Sequence, residues 1–265
     1  MATYCLIVAA GEPPTAAGSS RLAYAPRPVE RATAMAQILF VMTGADRLRL
    51  ADGTSHPTGY WAEEFLAPYR AFTEAGYEVV VATPGGVVPP VDPASLAPEF
   101  NGGQEGADAV AAALEAAVEL RRPIALEKAD PGEYAAVFYP GGHGPMEDLA
   151  SDADSARLLT AAIGSGTPLG LVCHGVAALA GTADGDGTSP FAGYRVTGFT
   201  RAEEEQAGLA DRMEWVLEDR LVALRLRFSA GEPWAPHVVV DRTLHTGQNP
   251  ASSAPLAAAL LKTLN

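Results

Sequence analysis

Short apolar runs alternate with amphipathic segments along most of this chain. Runs with the length of buried strands occupy residues 38–42, 78–82, 134–139 and 168–172, with further strand patterns at 194–197, 237–240 and 244–246. Helical periodicity is found at residues 61–75, 107–120 and 155–165, in a segment opening at 176–180, and in a closing segment at 254–264. Strands that alternate with helices are typical of a parallel sheet covered on both faces. The pattern therefore predicts an α/β fold with a doubly wound, mainly parallel sheet.

The first 34 residues depart from this pattern. They are rich in Ala, Pro, Gly, Ser and Arg and show no sustained period until Met35. We expect residues 1–34 to be a poorly ordered extension and residues 35–265 to form the α/β domain. Met35 is also a candidate start codon.

One cysteine lies where a buried strand meets a helix of small residues. The run 168–179 passes through Cys173 and His174 and has glycines at 170 and 175. A tight turn there would lift the sulfur above the sheet and aim it at a helix N-terminus, which favours the thiolate. His174 is a candidate general base, provided that the backbone turns sharply enough for adjacent side chains to meet. The alternatives are a small buried cysteine and a capping or core histidine.

A glycine-rich loop follows the strand at 134–139. Its residues Gly141, Gly142 and His143 expose backbone N–H groups, which can hold the oxyanion formed when a thiolate attacks a carbonyl. Ordinary turns have the same composition. The position after a buried strand favours a functional loop, because ligand sites of doubly wound sheets lie at the carboxyl ends of strands.

Two acidic clusters are candidates for proton transfer. Glu63 and Glu64 open the helix predicted at 61–75, where the helix dipole alone favours acidic residues. Glu64 would instead share a proton with the thiol if it faced an apolar site, since burial raises a carboxyl pKa. In the triplet at residues 203–205, one glutamate is a candidate to orient His174, and the alternative is a solvated helix start.

Composition excludes several other functions. The formal charge of −14 and the pI of about 4.7 disfavour nucleic acid and anionic membranes as partners. Apolar runs are far shorter than the ~20 residues that cross a bilayer, and no secretory signal is evident. The two cysteines, Cys5 and Cys173, suggest a reducing cytoplasm. The histidines lack HExxH or HxxxH spacing and there is no CxxC, so no metal site is expected.

Five motifs in order resemble the PfpI/ThiJ superfamily, which has the flavodoxin-like, class I glutamine-amidotransferase-like fold. They are TGYWAEE at 58–64, GGHG at 141–144, VCHG at 172–175, TGFT at 197–200 and TGQNP at 246–250. More narrowly, the chain resembles the glutathione-independent glyoxalase (glyoxalase III) and stress-chaperone branch. Residues 1–34 match nothing in the family, and residues 104–127 align poorly with it.

The resemblance implies a role for each residue of the site. Cys173 would be the nucleophile, His174 its neighbour in the site, and Glu64 the carboxyl that hydrogen-bonds the sulfur. Glu204 would orient His174, with an uncertainty of one residue within the triplet. Gly142 and the amide of His174 would hold the oxyanion.

The leading hypothesis is conversion of a small reactive carbonyl, methylglyoxal or a related 2-oxoaldehyde, to a 2-hydroxy acid without any cofactor. The chain is expected to form a homodimer. Hydrolysis of an amide or a glycated adduct through an acyl-enzyme uses the same residues and stays open. A stress chaperone or redox sensor, in which Cys173 is oxidised, is the third hypothesis.

Overall fold

The structure is a computed structural model and describes Met1 and residues 35–264. The extension predicted over residues 1–34 therefore lies, apart from Met1, outside the described residues. The strands are β1 Gln37–Val41, β2 Arg47–Arg49, β3 Ser55–Pro57, β4 Glu78–Thr83, β5 Ile124–Ala125, β6 Ala136–Tyr139, β7 Leu169–Val172, β8 Arg195–Val196, β9 Arg227–Phe228, β10 Val238–Asp241 and β11 Leu244–Gly247. The helices are α1 Ala62–Glu74, α2 Gln104–Ala116, α3 Gly144–Glu147, α4 Ala153–Ser165, α5 Arg201–Ala207, α6 Leu217–Ala223 and α7 Ser253–Leu264.

A central sheet organises these elements. Its order is β10-β11-β7-β6-β1-β4-β5, and every neighbouring pair is parallel except β10 and β11. Helices α1 and α7 pack together against the sheet, and α4 packs with a 3₁₀ helix, Cys173–Thr182. The doubly wound, mainly parallel sheet predicted from the sequence is confirmed.

The apolar runs form strands because both faces of the sheet are covered. Strand β1 lies between β4 and β6, with Leu39 paired to Val80 and Val137. Its four apolar side chains are all fully buried, so no polar alternation is needed. The ring of Phe40 lies 5.5 Å from that of Phe65, which fixes α1 on the sheet. The N-terminal turn of α1 is thereby held over the carboxyl ends of the central strands.

Several local predictions were wrong in detail. The helix expected over residues 107–120 begins at Gln104 and ends at Ala116, and a 3₁₀ turn follows at Val118–Arg121. The strand expected at 194–197 is shortened to β8, which pairs with β9 in a separate small sheet. The helix after the cysteine is 3₁₀ rather than α. Two-residue strands and 3₁₀ turns depend on tertiary contacts, which hydrophobic periodicity does not encode.

None of the helices in residues 35–264 is long and apolar enough to cross a membrane.

Candidate active site

Cys173 occupies a sharp turn directly after β7. Its φ angle of 55° is in the left-handed region, which is rare for a residue other than glycine. A Cβ on Gly175 would lie 2.3 Å from the carbonyl oxygen of Tyr139, so only glycine fits just after the turn. The turn brings Nδ1 of His174 to 3.4 Å from Sγ of Cys173. The condition stated for this pair, a sharply turned backbone, is met.

The imidazole of His174 is held on its other side by Glu204. Nε2 of His174 lies 2.5 Å from Oε1 of Glu204, and both side chains are buried. Glu203 faces a different set of partners, and Glu205 is exposed. Within the acidic triplet, Glu204 is therefore the residue that contacts His174.

Glu64 lies on the other side of the sulfur. It is fully buried, and its Oε2 accepts a 2.7 Å hydrogen bond from the backbone N–H of Gly141. Its Oε1 has no partner of ordinary hydrogen-bond geometry among the described residues, and the Cys173 thiol is the side chain that interacts with this carboxyl. Burial raises the pKa of Glu64 to about 8. The carboxyl is therefore mostly protonated at neutral pH and can donate a hydrogen bond towards the sulfur.

The glycine-rich loop between β6 and α3 approaches the same point. Backbone N–H groups of Gly142 and His174 interact with Cys173 and act to lower its pKa, the direction expected of amides that stabilise negative charge at this position. Gly142 has a φ of 86°, and a Cβ there would lie 2.3 Å from the carbonyl oxygen of Gly59. The chain can bring this amide so close only because the residue is glycine.

The side chain of His143 belongs to the histidine cluster rather than to the loop's amide groups. Its Nε2 lies 3.2 Å from Oε2 of Glu204, and its ring centroid lies 4.1 Å from that of His174. The same Nε2 lies 3.3 Å from Oε1, the oxygen next to His174, so Glu204 contacts both imidazoles.

The charge states differ from the thiolate expected from the sequence. Burial, and then the neighbouring Glu64, raises the pKa of Cys173 well above that of a free thiol. Burial, and then the nearby His143, lowers the pKa of His174 despite the opposing effect of Glu204. Burial alone would raise the pKa of Glu204, but the imidazoles of His174 and His143 hold it well below its usual value. At neutral pH the resting site therefore has a neutral thiol, a neutral imidazole ready to accept the proton, and an anionic Glu204.

The same cluster is a candidate metal-binding set. One donor atom each from His143, His174 and Glu204 lies within 4.8 Å of the others. Two imidazoles and a carboxylate are ligands that zinc and related ions accept. Spacing along the sequence did not reveal this set, since the three residues come from separate segments. That the chain binds no metal stays a prediction.

An open cavity of about 1050 Å³ lies over the site, with Cys173, His174, Gly142 and His143 in its wall. The remaining wall contains four aromatic side chains that were not predicted as site residues: Trp61, Phe100, Phe199 and Trp234. Phe199 is part of the TGFT motif, and its ring lies 4.6 Å from that of His174. Trp234 lies in an irregular segment with no sequence signal that would have marked it.

A nucleophile elbow on a doubly wound sheet, with a histidine and two buried carboxyls around it, defines a class of cysteine-centred α/β proteins. The family model described as "DJ-1/PfpI family" matches residues 57–263. The chain belongs to this family, which confirms the resemblance found in the motifs.

Three curated relatives differ in how much of the chain they match. "Glutamine amidotransferase-like class 1 domain-containing protein 1" of Bos taurus is 39% identical over 139 residues, which are 52% of this chain and 63% of that protein. "Glyoxalase 3" of Candida albicans is 28% identical over 229 residues, or 84% of this chain and 96% of the relative. "Protein/nucleic acid deglycase HchA" of Staphylococcus aureus is 26% identical over 222 residues, which are 82% of this chain and 76% of that protein. The chain thus spans less than two thirds of the bovine relative.

Solved structures agree with the fold. The Rapid Encystment Protein of Francisella tularensis has a TM-score of 0.75 and 29% identity, covering 87% of this chain and 100% of that one. Glyoxalase III of Candida albicans has a TM-score of 0.73 and 25% identity, and the match covers 87% of this chain and 98% of that one.

Proposed function

We propose that this protein converts methylglyoxal or a related 2-oxoaldehyde to the corresponding 2-hydroxy acid, with Cys173 as nucleophile. The observation that carries the proposal is the chain of contacts from Sγ of Cys173 to Nδ1 of His174 and from Nε2 of His174 to Glu204. The likeness to the Candida protein named glyoxalase 3 supports the choice of substrate.

The first step is attack on the aldehyde carbon. The thiol proton passes to Nδ1 of the neutral His174 as the S–C bond forms, and Glu204 stabilises the imidazolium that results. The aldehyde oxygen becomes the oxyanion of a hemithioacetal, and the amides of Gly142 and His174 stabilise it. A high resting thiol pKa suits this order of events, because the anion forms only with a substrate and a base at hand.

The second step moves a proton between two carbons. His174 first returns the thiol proton to the oxyanion, which becomes the hydroxyl of the hemithioacetal, and the neutral imidazole then takes the hydrogen on the former aldehyde carbon as a proton, giving an enediolate. A proton is delivered to the neighbouring carbonyl carbon, the hydroxyl proton passes to the oxygen of that carbon, and the imidazolium gives its proton back to the group that made the delivery. The first carbon is oxidised to a thioester and the second is reduced to a secondary alcohol, so no external oxidant or reductant is needed. Glu64, protonated at rest beside the sulfur, is suited to the delivery. Water then attacks the thioester and releases the 2-hydroxy acid and the thiol.

The experiment is to incubate purified protein with methylglyoxal, without glutathione, and to quantify lactate. We expect wild-type protein to form lactate and Cys173→Ala to form none above the rate without protein. The matched control is Cys5→Ala, which removes the other cysteine and should retain full activity. Equal rates for Cys173→Ala and wild type would contradict the proposal.

Hydrolysis of glycated adducts is a second candidate, favoured by the size of the cavity and by the likeness to the deglycase. It would use the same nucleophile, with the acyl-enzyme formed from the adduct. The test compares adduct loss with the free methylglyoxal measured in the same sample. Adduct loss faster than spontaneous release of methylglyoxal supports a deglycase, and loss limited by that release supports the glyoxalase. A panel of simple amides run beside it tests the amidase form.

Assembly and substrate range are also proposals. A homodimer is the base-rate expectation for such a chain, and light scattering would separate it from a 27.4 kDa monomer. The chain's acidity argues against nucleic acid, whereas the deglycase's name includes it. A glycated oligonucleotide in the adduct assay tests this directly.

A further inference from the structure

The cavity over Cys173 is much larger than methylglyoxal requires. Its volume of about 1050 Å³ reaches the upper end of the ~300–1,000 Å³ that encloses drug-sized ligands. Methylglyoxal has only five heavy atoms and would leave most of this space to water. The walls therefore indicate which larger substrates of the same chemistry fit.

Aromatic side chains form two pairs in these walls. Trp61 and Phe100 meet edge to face with ring centroids 5.2 Å apart, and Phe199 and Trp234 do so at 5.5 Å. Phe100 is 59% exposed and Trp234 is 45% exposed, so the fold leaves two large aromatic surfaces uncovered at the cavity. Uncovered aromatic surface in a cavity is suited to contact with a flat or apolar ligand.

Trp234 is held in this position against its backbone preference. Its φ angle of 63° is in the left-handed region, which disfavours a bulky side chain. Its backbone N–H donates to Oε1 of Glu203 at 2.8 Å, and its indole Nε1–H donates to Oε1 of Gln206 at 2.6 Å. The fully buried Glu203 also accepts from Gln248 and Asn249. Strain maintained by such a network, with the indole left exposed, indicates that the indole serves a ligand.

We infer that the cavity selects 2-oxoaldehydes whose keto carbon carries an aryl or extended apolar group, and that Trp234 with Phe199 is the wall that recognises it. The ring of Phe199 lies between Trp234 and His174, within 5.5 Å and 4.6 Å of their rings. A group on the keto carbon thus reaches this wall while the aldehyde carbon lies at Cys173. The inference rests on the proposed function for the reaction and goes beyond it in the substrate.

The test compares phenylglyoxal, which would yield mandelate, with methylglyoxal. Wild-type protein should have the lower KM for phenylglyoxal. Trp234→Gly removes the indole, and glycine accepts the φ angle, so the loop should fold. We expect this variant to raise the KM for phenylglyoxal at least about fivefold more than it raises the KM for methylglyoxal, which is the size of a lost aromatic contact. The matched control is Trp215→Ala, which removes an indole outside this cavity and should change neither substrate.

A binding measurement separates this inference from the proposed reaction. Diacetyl and its analogue with phenyl in place of one methyl group are titrated into Cys173→Ala protein by ligand-observed NMR. Tighter binding of the phenyl analogue, lost in the Cys173→Ala, Trp234→Gly double variant, supports the aromatic wall even if neither oxoaldehyde is turned over. Equal binding of the two diketones, or an equal effect of Trp234→Gly on both, overturns the inference. Absence of turnover for both oxoaldehydes overturns only the proposed function.

Discussion

Replacing Glu64 by Gln should stabilise the protein in a pH-dependent way. The buried carboxyl has a pKa of about 8, compared with 4.5 for an ordinary glutamate. Between those two values the folded chain keeps a proton that the unfolded chain has released, so the free energy of unfolding falls as pH rises. The decrease is about 1.4 kcal/mol per pH unit and is complete above pH 8. Gln cannot ionise, and its amide oxygen still accepts from the N–H of Gly141.

The magnitude follows from the difference between the two pKa values. The variant and wild type should differ least at pH 4.5 and below. The advantage of Glu64→Gln should reach about 4 kcal/mol at pH 7.5 and level off at no more than about 5 kcal/mol above pH 8. These figures apply without correction for solvent screening, because the side chain is fully buried.

The assay is urea denaturation of both proteins at half-unit steps from pH 5 to pH 9. Glu63→Gln is the matched control: it removes the same group one residue away, on an exposed side chain, so its difference from wild type should vary much less with pH. A constant difference across the range, or a less stable Glu64→Gln at pH 8, would refute the assignment of a protonated carboxyl.

Three further predictions concern the site. Glu204→Gln should lower kcat about a hundredfold or more. It should also move the acidic limb of the kcat/KM profile to lower pH, because the charge of Glu204 raises the pKa of His174. An acidic limb that does not move would contradict this prediction. The rate at which iodoacetamide alkylates Cys173, measured against pH in a Cys5→Ala background, should have its midpoint above the ~8.5 pKa of free cysteine. A midpoint below that value would instead support the resting thiolate expected from the sequence. Gly142→Ala should lower the free energy of unfolding by more than about 3 kcal/mol, because strain and a clash combine. The matched control is Gly76→Ala: Gly76 has a φ of 89° but no atom within 4 Å, so this variant should lose only about 1 kcal/mol of unfolding free energy. Similar losses for the two variants in urea denaturation would show that the clash at Gly142 relaxes.

The sheet could be predicted because its strands are buried on both faces. Strand β1 and strand β7 are continuous apolar runs, and the periodic helices α1 and α4 directly precede strands β4 and β7. The short strands β8 and β9 carry no such signal, since two residues define no period. Their pairing depends on neighbours that are distant in sequence.

The choice among the three glutamates shows what the sequence could have yielded. Thr200 and Glu203 have the spacing of a capping box, and in the structure each side chain bonds the other's backbone N–H. That signal assigns Glu203 to the helix start and leaves Glu204 to turn towards His174. The contact between His143 and Glu204 and the position of Trp234 could not be predicted, because they depend on how separate loops pack.

The first turn of α5 carries two neighbouring carboxylates with different tasks. Glu204 fixes the imidazole that takes the thiol proton, while Glu203 fastens the backbone of Trp234. The position of the aromatic wall and the alignment of the base therefore both depend on this one helix turn.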